Sequence, residues 1–231
     1  MRVILMYDEL FNRKRQEKMR SFFLDSLSKK GMVKDYGKDE IIDIPDNHCV
    51  GIVTKGKIKQ SLYSSKGTEK TLYILLPGEI FGEMTYFCGG QSNMITRAME
   101  DSTISIVRRE RLDEELSRLP DIYRYFIHSI TRKFRIVMCQ MADMLFHSSI
   151  GKIADILIRL SSQEARKIEG KIIINMPLTH QDLANLIGCS RVTVTRGLNQ
   201  LKNEGIIDIE KKMIIINNMD KLKKYTDLID Y

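Results

Sequence analysis

Apolar and polar residues alternate over short runs in the first half of the chain, and glycine-containing turns separate the runs. Short strands at even spacing, with turns such as those around Gly56 and Gly78, are typical of a double-sheet roll or barrel. We therefore predict a β-roll over residues 31–119, preceded by a helical arm within residues 1–30. The predicted strands lie near residues 41–44, 50–54, 58–63, 71–76, 95–98 and 103–108.

A long helix is predicted over residues 120–147, beginning at Pro120-Asp121. Apolar residues recur along it at alternating spacings of four and three, which is the heptad pattern of a two-helix coiled coil. The alternative is a single helix buried in a monomer core, but the regularity of the pattern favours dimerisation. Phe126 and Ile136 widen the apolar face, which indicates that the helix also contacts the roll. The predicted dimer interface consists of Tyr123, Ile127, Ile130, Phe134, Val137, Met141 and Met144.

The last part of the chain, residues 148–231, has the element order of a winged helix. The pattern predicts a helix from residue 150 to about residue 162, a strand at 171–176 and two short helices within 179–204. A β-hairpin is predicted at 206–216 and a short closing helix at 219–228. A helical hairpin followed by a two-stranded hairpin is the arrangement of a winged helix-turn-helix domain.

The two short helices have clear start and turn signals. Thr179 and Ser190 are favourable N-cap residues, and Gly188 stands where a left-handed turn residue is needed. On the second helix, Val194, Leu198 and Leu201 recur at helical spacing and should face inward. The outer face of its first two turns then carries two arginines near the helix N-terminus, as a recognition helix does. The alternative is an ordinary helical hairpin; the outer residues are Arg191, Val192, Thr195 and Arg196.

The charge of the chain permits a nucleic-acid partner without demonstrating one. The net charge of +7 suits an acidic partner such as DNA. The excess is spread along the chain, because residues 147–231 carry 13 basic and 10 acidic side chains, a balance of +3. Many solvated surfaces have a similar excess.

The composition indicates a globular protein of the cytoplasm. At 231 residues the chain can form two modest domains, and no apolar run approaches the length of a membrane span. The apolar start at residues 3–6 is followed by Asp8 and Glu9, so it does not resemble a signal peptide. Reduced thiols account most simply for the scattered cysteines, which are Cys49, Cys88, Cys139 and Cys189.

Taken together, these α+β elements resemble the CRP/FNR family of bacterial transcription regulators over residues 20–231. In the roll the resemblance is carried by Gly56, Gly67, Gly78 and the Phe81-Gly82-Glu83 string, and in the second domain by the string at residues 188–196. It implies a cyclic-nucleotide-binding-like double-stranded β-helix (jelly-roll) sensor domain, a dimerisation helix and a winged helix-turn-helix. It further implies a homodimer on a near-palindromic operator in double-stranded DNA, and it leaves RNA polymerase open as a further partner.

The resemblance assigns DNA contacts to individual residues. Arg196 corresponds to the arginine of the family that reads guanine, and Arg191 to a position that contacts bases or backbone. Many members have glutamate at the position of Val192, and valine cannot accept a hydrogen bond from cytosine, so the half-site should differ. The positions that hold phosphates in the family are occupied here by Thr179, Gln181, Ser190 and Thr193.

The same resemblance indicates that cyclic AMP is not the effector. Members that bind it hold the ribose with the glutamate corresponding to Glu83 and the phosphate with an arginine-containing pair, which is Asn93-Met94 here. Without a guanidinium there the phosphate lacks a charge-assisted partner, unless the nearby Arg97 supplies the charge instead. An unknown small-molecule effector, methionines that only fill the core, and a roll that senses nothing all remain open. The residues aligned with the effector pocket are Gly82, Glu83, Met84, Asn93, Met94, Arg97, Val137 and Met138.

Metal and haem cofactors are not expected. Iron–sulfur members of the family carry an N-terminal cysteine cluster, and residues 1–48 contain no cysteine. Carbon-monoxide-sensing haem members place Cys and His near the positions that Gly82 and Met84 occupy here, so this chain has neither ligand at those positions. His128 and Cys139 stand 11 residues apart on the predicted long helix, roughly 16 Å, which is too far for one metal. His48 and Cys49 are adjacent in a predicted strand and would point to opposite faces.

The sequence is less consistent with two other classes of function. A ligand-sensing module could use the winged helix to control a protein partner, but such a domain has no need for exposed arginines beside hydroxyl groups. An enzyme is not expected, because the chain contains no nucleophile–base string, no metal-ligand spacing and no phosphate loop. The prediction is therefore a DNA-binding transcription regulator.

Overall fold

The alternating runs of the first half form two antiparallel sheets of a β-roll. The computed structural model describes residues 13–44, 49–168 and 170–226. One sheet has the strand order β1-β7-β2-β5 and the other β4-β3-β6. The strands are β1 (Met32–Tyr36), β2 (Val50–Lys55), β3 (Ile58–Tyr63), β4 (Glu69–Leu75), β5 (Ile80–Phe81), β6 (Ile95–Ala98) and β7 (Ser102–Val107).

The run at residues 41–44 is the exception among the predicted strands. It forms an isolated bridge between Ile41 and Arg97, and the Ile42 N–H donates to Thr96 O at 2.9 Å. The run therefore pairs with β6 only briefly. A proline follows it at position 45 and cannot donate a ladder hydrogen bond, which explains why the pattern overestimates the strand. Residues 45–48, including His48, lie outside the described residues.

Helices precede, interrupt and follow the strands of the roll along the chain. They are α1 (Arg13–Asp25), a 3-10 turn (Leu27–Lys30), α2 (Glu83–Cys88), α3 (Arg109–Arg118), a second 3-10 turn (Pro120–Ile122) and α4 (Tyr123–Phe146). The helical arm predicted from residue 7 lies outside the described residues up to residue 12. The pattern did not predict α2 and α3, because α2 is short and α3 is mostly charged with only Leu112 and Leu116 buried.

The core of the roll forms where α1, the strands and the first half of α4 pack together. Phe23 of α1 is fully buried, and its ring lies 5.2 Å from that of Phe126 in a T-shaped arrangement. Phe22 stacks on Tyr125 at 4.7 Å. Aromatic pairs of this geometry add to the stabilisation from buried area. The ring of Phe126 also lies 5.4 Å from that of Phe87 on α2, so the predicted contact between the long helix and the roll is confirmed.

The described residues divide between Ile136 and Val137, inside α4, into two compact units. The second unit contains α5 (Ser149–Gln163), α6 (His180–Ile187), α7 (Arg191–Asn203) and α8 (Met219–Lys223). Its sheet has the order β10-β11-β9-β8, with β8 (Ala165–Ile168), β9 (Lys171–Ile174), β10 (Ile207–Glu210) and β11 (Met213–Ile216).

The winged-helix order predicted for this unit is confirmed, with one addition. The edge strand β8 was not predicted, because its residues are mostly exposed and show no alternation. It pairs with β9 through a hairpin that contains Gly170 at a φ of +78°, where glycine is favoured. The predicted closing helix begins at Met219 but ends at Lys223; residues 224–226 follow in a turn instead of continuing the helix towards residue 228.

A close approach of two helices sets the position of α7. A Cβ atom on Gly197 would lie 2.4 Å from Ile153 Cδ1 of α5. Val194, Leu198 and Leu201 are fully buried on the same side of α7. The opposite side is thereby left exposed.

In the part of the chain that the structure describes, no helix is both long enough and apolar enough to cross a membrane.

Candidate nucleic-acid interface and roll cavity

Each helix of the helix-turn-helix begins at a side-chain cap, Thr179 for α6 and Ser190 for α7. Thr179 and Asp182 form a capping box, in which the Asp182 N–H donates to Thr179 Oγ1 at 3.1 Å and the Thr179 N–H donates to Asp182 Oδ2 at 2.9 Å. Gly188 ends α6 in the left-handed conformation, with φ at 70°. Ser190 Oγ then accepts the Thr193 N–H at 3.1 Å, so α7 begins at Arg191.

The exposed side of α7 carries the predicted reading residues. Arg191, Val192 and Arg196 are exposed, and Val192 has 60% of its surface accessible although it is apolar. Asn199 is also exposed, seven residues after Val192 and therefore on the same side, and sequence reasoning had not included it. The regular i, i+4, i+7 spacing was the signal that could have identified it. The structure thus brings the three predicted residues together on one exposed face.

The predicted phosphate contacts lie at the starts of α6 and α7. Thr179, Gln181 and Ser190 are exposed, and Thr193 is half-buried. Gln181 Nε2 donates to Asn185 Oδ1 at 2.8 Å, and the hydroxyls of Ser190 and Thr193 lie 2.8 Å apart. These hydrogen bonds hold the polar groups in place before any partner is bound.

The Thr195 hydroxyl is held inside the helix-turn-helix. It donates to Arg191 O at 2.9 Å and lies 2.9 Å from Nδ1 of His180, the first residue of α6. Because the single hydroxyl proton goes to Arg191 O, His180 Nδ1 must carry the proton of the second bond. This bond joins the start of α6 to α7, and sequence reasoning had not included His180. We therefore expect Thr195 to position α7 rather than to donate to DNA.

The heptad residues of α4 form an apolar strip along one side of the helix. Tyr123, Ile127, Phe134, Met141 and Met144 are between 43% and 63% exposed, and Ile130 and Val137 are half-buried. Exposed apolar surface of this kind is typical of interaction sites. The other side of α4 is buried and partly polar; it carries Phe126, Ser129, Arg132, Lys133, Ile136 and Gln140.

A cavity of about 250 Å³ lies within the roll. We call it the roll cavity; its lining includes Ile42, Gln60, Phe81, Gly82, Met94 and Thr96. Of the predicted effector residues, the cavity thus contains Gly82 and Met94.

The other predicted effector residues of this unit lie outside the described lining. Met84 and Asn93 are exposed, and Glu83 is buried. Arg97 follows Thr96 on β6 and donates through Nη1 to Asp39 O at 2.6 Å. Val137 and Met138 belong to the other unit, where Val137 is half-buried and Met138 is exposed.

Glu83 forms a buried ion pair with the long helix. Its Oε1 accepts from Lys133 Nζ at 2.7 Å, and both residues are less than a tenth exposed. Lys133 Nζ also donates to Ile80 O at 2.8 Å and lies 5.5 Å from the centre of the Tyr73 ring. Burial, and then the Glu83 carboxylate, raise the pKa of Tyr73 to about 12, so its phenol stays neutral. Lys133 was not predicted; a lysine on the buried side of an amphipathic helix was the available signal.

Glu79 forms a second buried cluster next to the first. Arg20 and Arg132 contact its Oε1 at 3.0 and 3.1 Å, and Gln16 Nε2 donates to the same oxygen at 2.6 Å. Burial alone would raise the pKa of Glu79, but Arg132 and then Arg20 outweigh it, so the pKa lies below its ordinary value. Two adjacent cations of α4 are therefore each held by a carboxylate of the roll.

A metal centre was not predicted, and among the residues that the structure describes no group of His, Cys, Asp and Glu could hold an ion. The Nε2 atom of His128 instead lies 3.2 Å from Gln16 Oε1. Burial, and then the charge of Arg132, lower its pKa.

Comparisons with known proteins agree with both parts of this arrangement. A family model described as a cyclic nucleotide-binding domain matches residues 34–118, and one described as a Crp-like helix-turn-helix domain matches residues 151–225. The Anaerobic regulatory protein of Bacillus subtilis is 29% identical over 174 residues, which are 74% of this chain and 73% of that protein. The CRP-like cAMP-activated global transcriptional regulator of Mycobacterium tuberculosis is 27% identical over 198 residues, 79% of this chain and 86% of that protein.

A solved structure gives the same architecture. A mutant of CooA from Carboxydothermus hydrogenoformans superposes with a TM-score of 0.76 at 22% identity, covering 88% of this chain and 94% of that one. The β-roll, the long helix and the winged helix-turn-helix thus define a transcription regulator with a helix-turn-helix DNA-binding domain. The chain belongs to the CRP/FNR family.

Proposed function

We propose that the chain acts as a homodimer that binds a near-palindromic operator, and that its roll does not hold cyclic AMP. The observation that carries this proposal is the exposed face of α7, where Arg191, Val192 and Arg196 follow a capped helix start. A helix presented in this way can enter a major groove with its first turns against the base edges. An electrophoretic mobility shift assay with genomic fragments tests it, and the absence of any specific shift would favour a protein partner instead.

Dimerisation is proposed from the apolar strip on α4. Five of its seven residues are exposed in the single chain and two are half-buried, whereas the opposite side of the helix is buried. Pairing two copies along the strip would remove this apolar surface from water. Two recognition helices related by a twofold axis then require two half-sites about one helical turn of DNA apart. The twofold symmetry is the reason for proposing a near-palindromic operator.

The proposal further places the protein in the cytoplasm and assigns it no catalytic reaction. The four cysteines are free thiols, which suits a reducing compartment. RNA polymerase remains a proposed partner that follows from the family alone.

Cyclic AMP is not expected to bind. The described lining of the roll cavity contains no lysine, arginine or histidine to hold a phosphate. Glu83, which corresponds to the glutamate that holds the ribose in members that bind cyclic AMP, is already paired with Lys133. Calorimetry at cyclic AMP concentrations up to about 1 mM should detect no heat of binding. A Kd of about 1 mM corresponds to a binding free energy of roughly 4 kcal/mol, so this range includes weak binding. A micromolar Kd would contradict this part of the proposal.

Arg196→Ala should weaken binding to the specific site by about 1–3 kcal/mol and relax the preference at one base pair, because arginine can form two hydrogen bonds to guanine. Gln181→Ala serves as the matched comparison. It should weaken binding to all sequences about equally, since a phosphate contact carries no base information. Fluorescence anisotropy on the operator and on scrambled DNA separates the two effects. Identical behaviour of both variants would contradict this division of roles.

Val192 should set a second base preference. It lies one turn before Arg196 on the exposed face, and its methyl groups can contact only the methyl group of thymine in the major groove. We therefore expect A·T at this pair in the half-site, and Val192→Glu should shift the preference from T towards C. The wrong base should cost about 1–3 kcal/mol. Selection from random oligonucleotides measures this; G·C enrichment by the wild type, or no change in the variant, would contradict it.

A further inference from the structure

Two buried polar side chains of the roll cavity stand opposite each other on neighbouring strands. Gln60 on β3 and Thr96 on β6 are direct partners in the antiparallel register, so their side chains lie on the same face of the sheet. Both line the cavity and both are less than a tenth exposed. Gln60 Nε2 donates to Thr96 Oγ1 at 3.2 Å.

One end of this pair is unsatisfied in the part of the protein that the structure describes. Among the described residues, Gln60 Oε1 has no hydrogen-bond partner, and buried amide oxygens normally have one. Thr96 accepts from Gln60 and therefore keeps its own proton for a further acceptor. The pair thus offers an acceptor beside a donor. Turning the amide over exchanges its two ends and still leaves one unpaired, and rotation about its last torsion is inexpensive.

The described part of the lining offers no cationic side chain to an anion. In the described part of the lining the only carboxylate is that of Asp43, which is exposed, and no lysine, arginine or histidine is present. Arg97 is the next residue after Thr96 on β6, so it points to the other face of the sheet, where it bonds Asp39 O. Among the described lining residues a buried phosphate or carboxylate would find no cationic partner, which is unfavourable.

The size and the walls of the cavity restrict the ligand further. At about 250 Å³ it is larger than a cavity of about 150 Å³ that holds benzene. It is slightly smaller than the ~300–1,000 Å³ typical of pockets for drug-sized molecules. Ile42, Phe81 and Met94 supply apolar walls. These dimensions suit one or two rings.

We propose that the roll cavity binds a small uncharged or cationic ring compound that presents a donor next to an acceptor, such as a carboxamide or an amino-substituted heteroaromatic ring. This edge pairs with Gln60 and Thr96, while the ring lies against the apolar walls. The inference rests on the proposed function in one respect, which is that the roll does not hold an anionic nucleotide. It does not depend on DNA binding.

Calorimetry on the full chain without DNA tests this with nicotinamide, benzamide and adenine, and with nicotinate and benzoate as matched acids. Each acid has nearly the shape of its amide but carries a charge and lacks the N–H donor. We expect the uncharged compounds to bind with a Kd of about 1 mM or lower, a range that ligands of this size reach. The acids should bind at least about tenfold more weakly, because their charge has no partner in the cavity.

Thr96→Val and Gln60→Met should each weaken binding of the uncharged compounds at least about tenfold, since each removes one polar group of the pair. Thr71→Val is the matched control, because Thr71 is also a buried threonine of this sheet, bonded to Ser61 but outside the described lining. It should leave binding unchanged. Failure of all three uncharged compounds to bind wild-type protein would overturn the inference, as would equal binding of the acids. Binding of cyclic AMP would contradict the proposed function and with it the inference, whereas failure of the three uncharged compounds without any binding of cyclic AMP would overturn the inference alone.

Discussion

Phe134→Asp should convert the protein from a dimer into a monomer. Phe134 lies at the centre of the apolar strip on α4 and is 63% exposed, so the substitution leaves the described core untouched. In a parallel symmetric pair the residue would meet its own copy, and two aspartates would then be buried against each other without a cation. Sedimentation velocity should show a single species near the 26.8 kDa of one chain.

The loss of the dimer should also appear in DNA binding. A monomer contacts one half-site only, and it loses the gain of about 10²–10⁴ in affinity that linked sites provide. Arg135→Asp is the control, because it adds the same carboxylate at the next exposed position of α4, outside the strip. That variant should remain a dimer and keep most of its operator affinity. A Phe134→Asp protein that sediments as a dimer would show that the strip is not the interface.

The architecture could be predicted because its signals are local. Glycine turns, strand alternation and the heptad pattern each depend on a few neighbouring residues, and β2, β3 and the helix pair of the winged helix were predicted from them. The elements that were missed lack such a signal. β8 is an exposed edge strand, and α3 buries only Leu112 and Leu116 among charged residues. Their structure depends on tertiary contacts that periodicity does not record.

The candidate sites were predictable to different degrees. The exposed face of α7 follows from helical spacing, so Arg191, Val192 and Arg196 could be placed without coordinates. The roll cavity could not, because its polar groups come from strands far apart in sequence. Gln60 and Thr96 are separated by 36 residues. The partner of Glu83 is 50 residues away, at Lys133. Only the sheet register and the packing of α4 bring these residues together.

Lys133→Met should lower the free energy of unfolding of the roll by about 3–5 kcal/mol, because it removes the cation from a buried carboxylate. Glu83 is 1% exposed, and its Oε2 has no hydrogen-bond partner among the described residues. Methionine keeps the length of the lysine stem, so packing is largely retained. Urea unfolding followed by circular dichroism measures the change. Arg111→Met is the matched control, since Arg111 pairs with Glu114 at a similar distance of 2.9 Å but both side chains are more than 60% exposed. It should cost less than about 1 kcal/mol.

The double variant Lys133→Met, Glu83→Leu distinguishes an unpaired charge from poor packing. With both charges removed, no buried carboxylate is left without a cation, so more than half of the lost stability should return. The recovery should not be complete, because Ile80 O also loses the donor that Lys133 supplied. If the stability costs of the two substitutions are simply additive, the Glu83–Lys133 pair contributes little beyond the volume of its side chains. In that case, the anchoring of α4 to the roll would rest on the aromatic contacts around Phe126 and on the Glu79 cluster instead.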